Sequence, residues 1–233
     1  MQIANAVVFI TGANRGIGLA FAREALARGA RRVYAAARDP ASIALDGVHA
    51  VRLDVTRPEE LERAVRECGD VTLVINNAGV AATGGFLADA SLASSRQQFE
   101  TNFFGPLRVT QAFAPVLAAN GGGAVLNVLS VASWINRPLL GVYGATKSAA
   151  WALTNGLRHE LRAQGTQVTA LHMGFVDTDL TKGIDAPKST PEAIVRLAFD
   201  GLEAGLDEVL GDDMTRQVKQ SLSSATPAYL AVA

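Results

Sequence analysis

The chain has 233 residues, 49% of them hydrophobic, and a formal net charge of −1 at pH 7. This length and apolar content fit one large α/β unit, so we expect a single domain over residues 1–233. The balanced charge predicts no nucleic-acid partner and no anionic-membrane partner. Cys68 is the single cysteine, which excludes an intrachain disulfide. The chain starts without a basic export signal or a membrane-length apolar run, which together with the lone cysteine favours a cytoplasmic location.

Short apolar, β-branched runs alternate along the chain with segments of helical periodicity. Each run is typical of a strand buried on both faces, and the alternation predicts parallel strands joined by helical crossovers. The expected fold class is α/β, a doubly wound parallel sheet of about seven strands with helices on both faces and ligands at the carboxyl ends. Capping-box patterns at Thr56 with Glu59 and at Ser189 with Glu192 mark two helix starts. The predicted strands are 6–10, 32–37, 48–54, 71–76, 124–130, 167–173 and 207–211.

The stretch VVFITGANRGIGLA, residues 7–20, carries Gly12, Gly16 and Gly18 where the first strand meets the first helix. Glycine lowers the stability of regular structure, so this concentration predicts a tight turn that a ligand approaches closely. Backbone N–H groups at the start of a helix suit an anion such as a pyrophosphate. The spacing is Gly-x-x-x-Gly-x-Gly, which differs from the general dinucleotide pattern, and an ordinary turn without a ligand is the alternative.

Two arginines bear on which dinucleotide this turn would bind. Arg38 ends the second predicted strand, where an acidic residue would hold a ribose 2′-hydroxyl and an arginine accommodates a 2′-phosphate. Arg15, within the glycine turn, could reach the same phosphate through a strong charge-assisted hydrogen bond. The two cations favour NADP(H). The alternatives are that both arginines are solvated surface residues, or that Asp39 serves the 2′-hydroxyl of NAD(H).

The stretch VYGATKSAAWALTNGLRHEL places Tyr143 and Lys147 four residues apart, on one face of a predicted helix that ends near Gly165. A neighbouring ammonium and a positively charged nicotinamide would lower the pKa of the tyrosine, so Tyr143 could exchange a proton with an alcohol oxygen. Ser130 ends the fifth predicted strand, at the same sheet edge as the glycine turn, where its hydroxyl could bind a substrate carbonyl. Taken alone, a packed tyrosine beside a solvated lysine is the commoner explanation of such a pair.

Together these motifs resemble the classical short-chain dehydrogenase/reductase family over nearly the whole chain, and the two arginines resemble its NADP-preferring subgroup. The resemblance implies a Rossmann-type fold. It rests on these segments, in chain order: TGANRGIG (11–18), LDV (53–55), NNAG (76–79), Asn102 in TNFFGPL, Ser130, Tyr143 with Lys147, and GFVDTDL (174–180).

The resemblance also implies a catalytic tetrad of Asn102, Ser130, Tyr143 and Lys147. In this family the tyrosine transfers the proton, the serine orients the substrate oxygen, and the lysine lowers the pKa of the tyrosine and binds the nicotinamide ribose. The asparagine helps to hold a proton-relaying water. Together with the glycine turn and the arginines, the resemblance gives these expected cofactor-binding residues: Gly12, Asn14, Arg15, Gly16, Ile17, Gly18, Arg38, Asp54, Val55, Asn76, Ala78, Gly79, Tyr143, Lys147, Gly174, Val176 and Thr178.

The chain departs from the family pattern at two places. Met173 precedes Gly174 where the family usually has proline. The C-terminal residues lack the glycine-rich ending common in tetrameric members. This second departure favours a homodimer, formed through the helices around 101–119 and 143–163, over the usual tetramer.

Apolar residues flank the predicted catalytic positions and predict an apolar pocket mouth. We therefore expect an NADP(H)-dependent carbonyl reductase or alcohol dehydrogenase that acts on small-molecule hydrophobic or aromatic ketones and aldehydes. The alternative is a non-catalytic dinucleotide-sensing or scaffold protein on the same fold. His49, His159 and His172 share no metal-ligand spacing, so no metal site is expected, and His172 is interpreted as structural. The apolar residues are Trp134, Ile135, Leu139, Leu140, Val142, Phe175 and Leu180.

Overall fold

The fold is that of a computed structural model, which describes residues 1–231. Seven strands form one sheet, and every neighbouring pair in it is parallel. In chain order the strands are β1 (Val7–Thr11), β2 (Arg32–Ala37), β3 (His49–Arg52), β4 (Leu73–Asn76), β5 (Ala124–Val128), β6 (Gln167–His172) and β7 (Glu208–Leu210). Their order across the sheet is β3-β2-β1-β4-β5-β6-β7. The direction of the crossovers therefore reverses between β1 and β4, where ligands bind in doubly wound sheets.

The helices that connect the strands cover both faces of the sheet. They are α1 (Gly16–Ala27), α2 (Pro58–Glu67), α3 (Ser91–Phe99), α4 (Gly105–Ala119), α5 (Gly141–Glu160), α6 (Pro191–Glu203) and α7 (Asp213–Ser221). A short π-helical turn, Glu100–Phe104, joins α3 to α4. The predicted fold class, a doubly wound parallel sheet of seven strands with helices on both faces, is confirmed.

Two apolar layers hold the helices against the sheet, because side chains alternate along each strand. In β1, Val8 and Ile10 belong to the cluster that contains α1 and α6, and Phe9 belongs to the cluster that contains α2, α4 and α5. Phe21 of α1 meets Phe199 of α6 with ring centroids 5.3 Å apart. Both layers reach the carboxyl ends of the strands, so the loops that follow β1, β4 and β5 are held on a rigid edge.

Two helix starts lie one residue after their predicted positions. Arg57 is the N-cap of α2 and makes no side-chain cap, because the Thr56 hydroxyl donates to the Asp54 carboxylate instead. Thr190 caps α6 by accepting from the Ala193 N–H. A proline occupies the first turn of each helix, and its fixed φ sets the helix start there. Both capping-box predictions were therefore wrong. No helix within residues 1–231 combines the length and apolar character that crossing a membrane requires.

Candidate active site

A cavity of 1230 Å³ lies at the carboxyl ends of the strands. Loops after β1, β2, β4, β5 and β6 contribute to its walls, and α5 supplies one side. Most of the predicted site residues line it, and Gly18, Asn76 and Asn102 do not. Those that line it are Gly12, Asn14, Arg15, Gly16, Ile17, Arg38, Asp54, Val55, Ala78, Gly79, Ser130, Tyr143, Lys147, Gly174, Val176 and Thr178.

The glycine turn after β1 has the backbone that its sequence predicts. Gly12 and Gly16 have φ of +66° and +54°, a left-handed conformation that strains any residue with a Cβ atom. A Cβ on Gly18 would lie 2.2 Å from the Gly12 carbonyl oxygen and 2.5 Å from Nδ2 of Asn77, so Gly18 allows α1 to pack directly on the turn. Gly18 therefore shapes the anion site without facing the cavity.

The two asparagines of the NNAG motif have different positions, and the prediction selected the wrong one. The Asn76 side chain is buried and donates to Thr110 Oγ1 at 3.1 Å and to Asn127 Oδ1 at 2.8 Å. It faces inward because it is the last residue of β4 and the strand's alternation directs it toward α4. Asn77 lines the cavity and donates from Nδ2 to the carbonyl oxygens of Thr11 and Gly12. Asn77 therefore ties the β4 loop to the glycine turn.

Charged side chains gather at the end of the cavity that contains the glycine turn. Arg15 pairs with Asp179 at 2.9 Å, and both side chains are two-thirds exposed, so solvent weakens this pair. Arg38 lines the cavity near Asp54. Burial raises the pKa of Asp54, but hydrogen bonds from Thr56 and the charges of nearby arginines outweigh it, so the net pKa lies below its usual value. Asp54 is therefore ionised at neutral pH.

Ser130, Tyr143 and Lys147 meet on one wall of the cavity, as their spacing predicts. Tyr143 and Lys147 lie on successive turns of α5, with Lys147 Nζ 5.7 Å from the centre of the phenol ring. Lys147 also donates to the Val128 carbonyl oxygen at 2.8 Å. The Ser130 hydroxyl lies near the Tyr143 phenol and lowers its pKa. The loop after β5 and the first turns of α5 therefore bring a hydroxyl, a phenol and an ammonium together.

Burial shifts the pKa values of Tyr143 and Lys147 in opposite directions. It raises the pKa of Tyr143 to about 12, and the nearby Ser130 hydroxyl only partly opposes this increase. Burial lowers the pKa of Lys147 to about 8, because water that would solvate the ammonium is excluded. Burial and Ser130 account for the Tyr143 shift, and Lys147 makes no contribution to it. The expected lowering of the Tyr143 pKa invokes a charged nicotinamide beside the ammonium and stays a prediction.

Asn102 lies behind this wall, in the π-helical turn, and is 1% exposed. Its amide accepts from the Val80 N–H at 2.9 Å and donates to the Val80 carbonyl at 2.8 Å and to Thr146 Oγ1 at 3.0 Å. A Cβ added to Gly79 would lie 3.4 Å from Asn102 Oδ1 and 3.9 Å from Lys147 Nζ. Because residue 79 is glycine, the space between the asparagine and the lysine stays open.

Apolar residues dominate the opposite end of the cavity. Five of the seven predicted pocket residues line it: Ile135, Leu139, Leu140, Phe175 and Leu180. Trp134 and Val142 are instead buried in the protein and do not line the cavity.

The C-terminal part of the chain contributes to this cavity in a way that sequence analysis missed. Met214 and Val218 of α7 and Ala228 beyond it line the apolar end. Asp212, the N-cap of α7, accepts from the Gly174 N–H at 2.6 Å. This hydrogen bond holds the residue after Met173, where the family usually has proline and glycine. The available sequence signal was Asp212 itself, because aspartate is a preferred N-cap residue and stands immediately before the segment that forms α7. Among residues 1–231, no group of three or more His, Cys, Asp or Glu side chains is arranged to hold a metal ion.

Comparisons with known proteins agree with this geometry. A family model described as short chain dehydrogenase matches residues 6–189. The oxidoreductase YbbO of Escherichia coli strain K12 is 34% identical over 215 residues, which cover 87% of this chain and 79% of YbbO. The 1-deoxy-11-beta-hydroxypentalenate dehydrogenase of Streptomyces exfoliatus is 34% identical over 202 residues, which cover 81% of this chain and 74% of that enzyme. The chain therefore belongs to the short-chain dehydrogenase/reductase family.

Solved structures show the same relationship. A short chain dehydrogenase from Burkholderia cenocepacia J2315, crystallised with NADP, has a TM-score of 0.93 at 35% identity and covers 97% of this chain and 95% of its own. A Burkholderia phymatum structure in complex with NAD has a TM-score of 0.83 at 24% identity, with 95% of both chains covered, and shows the same fold. The protein is an oxidoreductase whose fold binds a nicotinamide dinucleotide.

Proposed function

We propose that the protein is an NADP(H)-dependent carbonyl reductase or alcohol dehydrogenase. The observation that carries the proposal is the convergence of Ser130, Tyr143 and Lys147 on one wall of a cavity whose other end is the glycine turn. A non-catalytic sensor would need the dinucleotide end alone. The hydroxyl, phenol and ammonium at the other end support chemistry on a carbonyl or alcohol.

The residues around the glycine turn fit a dinucleotide. Gly12 and Gly16 take conformations that expose backbone N–H groups, and the absence of a side chain on Gly18 brings the start of α1 onto the turn. Such a helix start binds a pyrophosphate through N–H groups and the helix dipole. When bound, the nicotinamide supplies or accepts the hydride. The protein supplies orientation and proton transfer.

Each residue of the proposed tetrad has a distinct role. The Ser130 hydroxyl donates to the substrate oxygen, and the Tyr143 phenol gives that oxygen its proton during reduction. Lys147 brings positive charge beneath the phenol and holds the nicotinamide ribose. Asn102 fixes the Val80 main chain and flanks the open space above Gly79, a position suited to a proton-relaying water. Tyr143 is protonated at neutral pH, which is the state that can give a proton to the substrate oxygen during reduction.

NADP(H) is the proposed cofactor because two arginines reach the end of the cavity where a 2′-phosphate would lie. Arg38 lines that end, and Arg15 is held only by an exposed ion pair that a phosphate can replace. Asp39 accepts from the Ala41 N–H at 3.1 Å and so caps the turn after β2, which reduces its capacity to bind a ribose hydroxyl. The NADP in the Burkholderia cenocepacia relative supports the same choice.

The proposed substrate is a hydrophobic or aromatic ketone or aldehyde. Ile135, Leu139, Phe175, Met214 and Val218 line the end of the cavity beyond Ser130 and Tyr143. Burial of an apolar substrate against these side chains contributes about 25 cal/mol per Å² of covered surface.

The proposal is tested by adding purified protein to NADPH, and separately to NADH, with a panel of aryl ketones, aliphatic aldehydes, sugars and acyl thioesters. We expect NADPH absorbance to fall faster than NADH absorbance, with aryl ketones or aldehydes as the best substrates. Tyr143→Phe should lower kcat by about a thousandfold or more, because the proton donor is lost, and leave NADPH affinity nearly unchanged. NADPH binding without oxidation across the panel would favour the dinucleotide-sensing alternative, and full turnover by Tyr143→Phe would exclude the mechanism.

The proposed assembly is a homodimer in which α4 and α5 of each subunit meet their counterparts. Analytical ultracentrifugation measures the mass that decides between a dimer and a tetramer. The organisation of residues 1–233 as a single domain also stays a prediction.

A further inference from the structure

His172 lies directly behind the proposed catalytic serine. It is the last residue of β6 and is 0% exposed. Its Nδ1 atom lies 3.2 Å from the main-chain carbonyl oxygen of Ser130. The imidazole stacks on the indole of Trp134, with ring centroids 3.9 Å apart and an interplanar angle of 19°. The side chain therefore contacts both ends of the loop that carries Ser130.

An ion pair and a second indole enclose this stack. Glu208 of β7 accepts from Lys219 Nζ at 2.6 Å and from Trp151 Nε1 at 3.3 Å. Lys219 Nζ also lies 4.8 Å from the centre of the Trp134 ring, within the range of a cation–π contact. Lys219 belongs to α7, the helix that carries Val218 into the cavity. The stack is thus held between β6, β7, α5 and α7.

The surroundings of His172 define its tautomer. A carbonyl oxygen only accepts hydrogen bonds, so Nδ1 must carry the hydrogen that lies between it and Ser130. Nε2 has no hydrogen-bond partner within residues 1–231, and it lies 3.9 Å from the Glu208 carboxylate, beyond hydrogen-bond distance. Burial lowers the pKa of His172 to about 4, although Glu208 and the Ser130 carbonyl oppose this shift and Lys147 and Lys219 add to it. A neutral imidazole with one hydrogen bond results, and that bond goes to Ser130.

We propose that His172 is a positioning residue whose Nδ1–H holds the main chain of Ser130 so that the Ser130 hydroxyl faces Tyr143. Stacking on Trp134 fixes the plane of the imidazole, and Lys219, held by Glu208, packs on the face of that indole. The Ser130 hydroxyl itself donates to the Met173 carbonyl oxygen over a long 3.5 Å and accepts from the Ala132 N–H at 3.1 Å, so no strong side-chain partner fixes it toward Tyr143. Its direction therefore depends on the main chain that carries it.

The hydrogen bond from His172 to the Ser130 carbonyl oxygen is tested first, by a measurement that does not need enzyme turnover. In protein labelled with ¹⁵N-histidine, NMR should show one imidazole as the Nδ1–H tautomer, unprotonated from about pH 7 down to about pH 5. The same signal should be missing from His172→Asn, which distinguishes it from His49 and His159. An Nε2–H tautomer, or protonation near the ordinary histidine pKa, would overturn the proposal whether or not the protein reduces carbonyls.

The positioning role rests on the proposed function and is tested by kinetics on two variants. His172→Leu fills the space without a donor, whereas His172→Asn keeps an N–H near the position of Nδ1. We expect His172→Leu to lower kcat roughly tenfold, the scale of one hydrogen bond, with the KM for NADPH unchanged, and His172→Asn to stay within about threefold of the parent. An unchanged kcat in His172→Leu would overturn the proposal. Equal decreases of kcat in His172→Leu and His172→Asn, with similar melting temperatures, would overturn it too.

The pH profile separates positioning from a general loss of structure. The Ser130 hydroxyl lowers the pKa of Tyr143. If His172 aims Ser130, then His172→Leu should move the limb of the kcat profile that belongs to Tyr143 to higher pH, and His172→Asn should leave that limb in place. If kcat of His172→Leu is lower by the same factor at every pH, and the limb that belongs to Tyr143 does not move, the proposal is contradicted. Absence of turnover in the parent protein would instead refute the proposed function, and the NMR result would still decide the contact.

Discussion

Arg38 and Asp39 are adjacent at the end of β2, yet only Asp39 has its side chain engaged by a neighbouring main-chain N–H. Asp39 is engaged by the Ala41 N–H, whereas Arg38 lines the cavity close to Asp54. Arg38→Asp should therefore weaken NADPH binding by roughly 10 to 100-fold, because a charge-assisted hydrogen bond is replaced by repulsion, and should change NADH binding much less. Titration of cofactor fluorescence measures both affinities. Arg31→Asp, an exposed arginine away from the cavity, is the matched control. Equal losses for both cofactors would remove the 2′-phosphate assignment.

Sequence spacing was sufficient to predict the positions of some site residues and insufficient to predict those of others. Ser130, Tyr143 and Lys147 could be placed together because a strand end and a helical repeat determine their positions. Asn76 and Asn77 could not be distinguished, because a shift of one residue at a strand end reverses the direction of a side chain. The raised pKa of Tyr143 was also beyond sequence analysis, since it depends on how much water the folded protein excludes.

At the scale of elements, the packing of α1 on the glycine turn gives a sharp test. The Gly18 position has no space for a Cβ atom beside the Gly12 carbonyl and the Asn77 amide. Gly18→Ala should therefore push α1 off the turn and weaken dinucleotide binding by at least about tenfold, with a loss of stability of about 1 to 3 kcal/mol. Calorimetric titration with NADPH and a thermal melt measure the two effects. Unchanged NADPH affinity would show that the turn tolerates displacement of the helix.

The matched control is Gly156→Ala, in the middle of α5, where an added Cβ meets nothing within 4 Å. That substitution should stabilise the protein by up to about 1 kcal/mol, because alanine has the higher helix propensity. Gly18→Ala and Gly156→Ala both place alanine within a helix, so the two sites differ in the atoms that the added Cβ meets.

The predicted elements were accurate where local patterns determine them. Every predicted strand is present, because runs of buried β-branched residues define strands in a parallel sheet. The π-helical turn at Asn102 was not predicted, since a widened turn leaves no periodic signal in so short a segment. The contribution of α7 to the cavity was also missed. It depends on the Asp212 contact with Gly174, which joins residues far apart in sequence.

At the scale of the whole molecule, the buried ammonium of Lys147 links stability to pH. Its pKa is lowered from 10.5 to about 8 in the folded protein, so the unfolded chain binds more protons between these two values. Stability therefore rises with pH through that window. Lys147→Met removes this dependence. The free energy of unfolding of the parent, relative to that of Lys147→Met, should increase by about 2 to 3 kcal/mol between about pH 7 and about pH 10.

Urea titrations of the two proteins at both pH values measure this difference. All other titrating groups are shared, so they cancel to the extent that their surroundings are unchanged. A constant difference across the range would show that Lys147 has an ordinary pKa in the folded protein. Because Tyr143 has a raised pKa, its own contribution opposes further stabilisation above about pH 10, which is why the comparison stops there.

The family model ends at residue 189, yet Met214, Val218 and Ala228 line the apolar end of the cavity. Part of the apolar end is thus encoded downstream of the residues proposed to transfer the proton. Recombination in the turn before β7 would exchange Met214, Val218 and Ala228 between relatives as one unit and leave Tyr143, Lys147 and the remaining apolar lining untouched. Such an exchange succeeds only if it preserves the anchor at Asp212, because that carboxylate holds Gly174 in place. Exchange of the short C-terminal stretch would therefore alter the apolar end of the cavity without changing the residues proposed to transfer the proton.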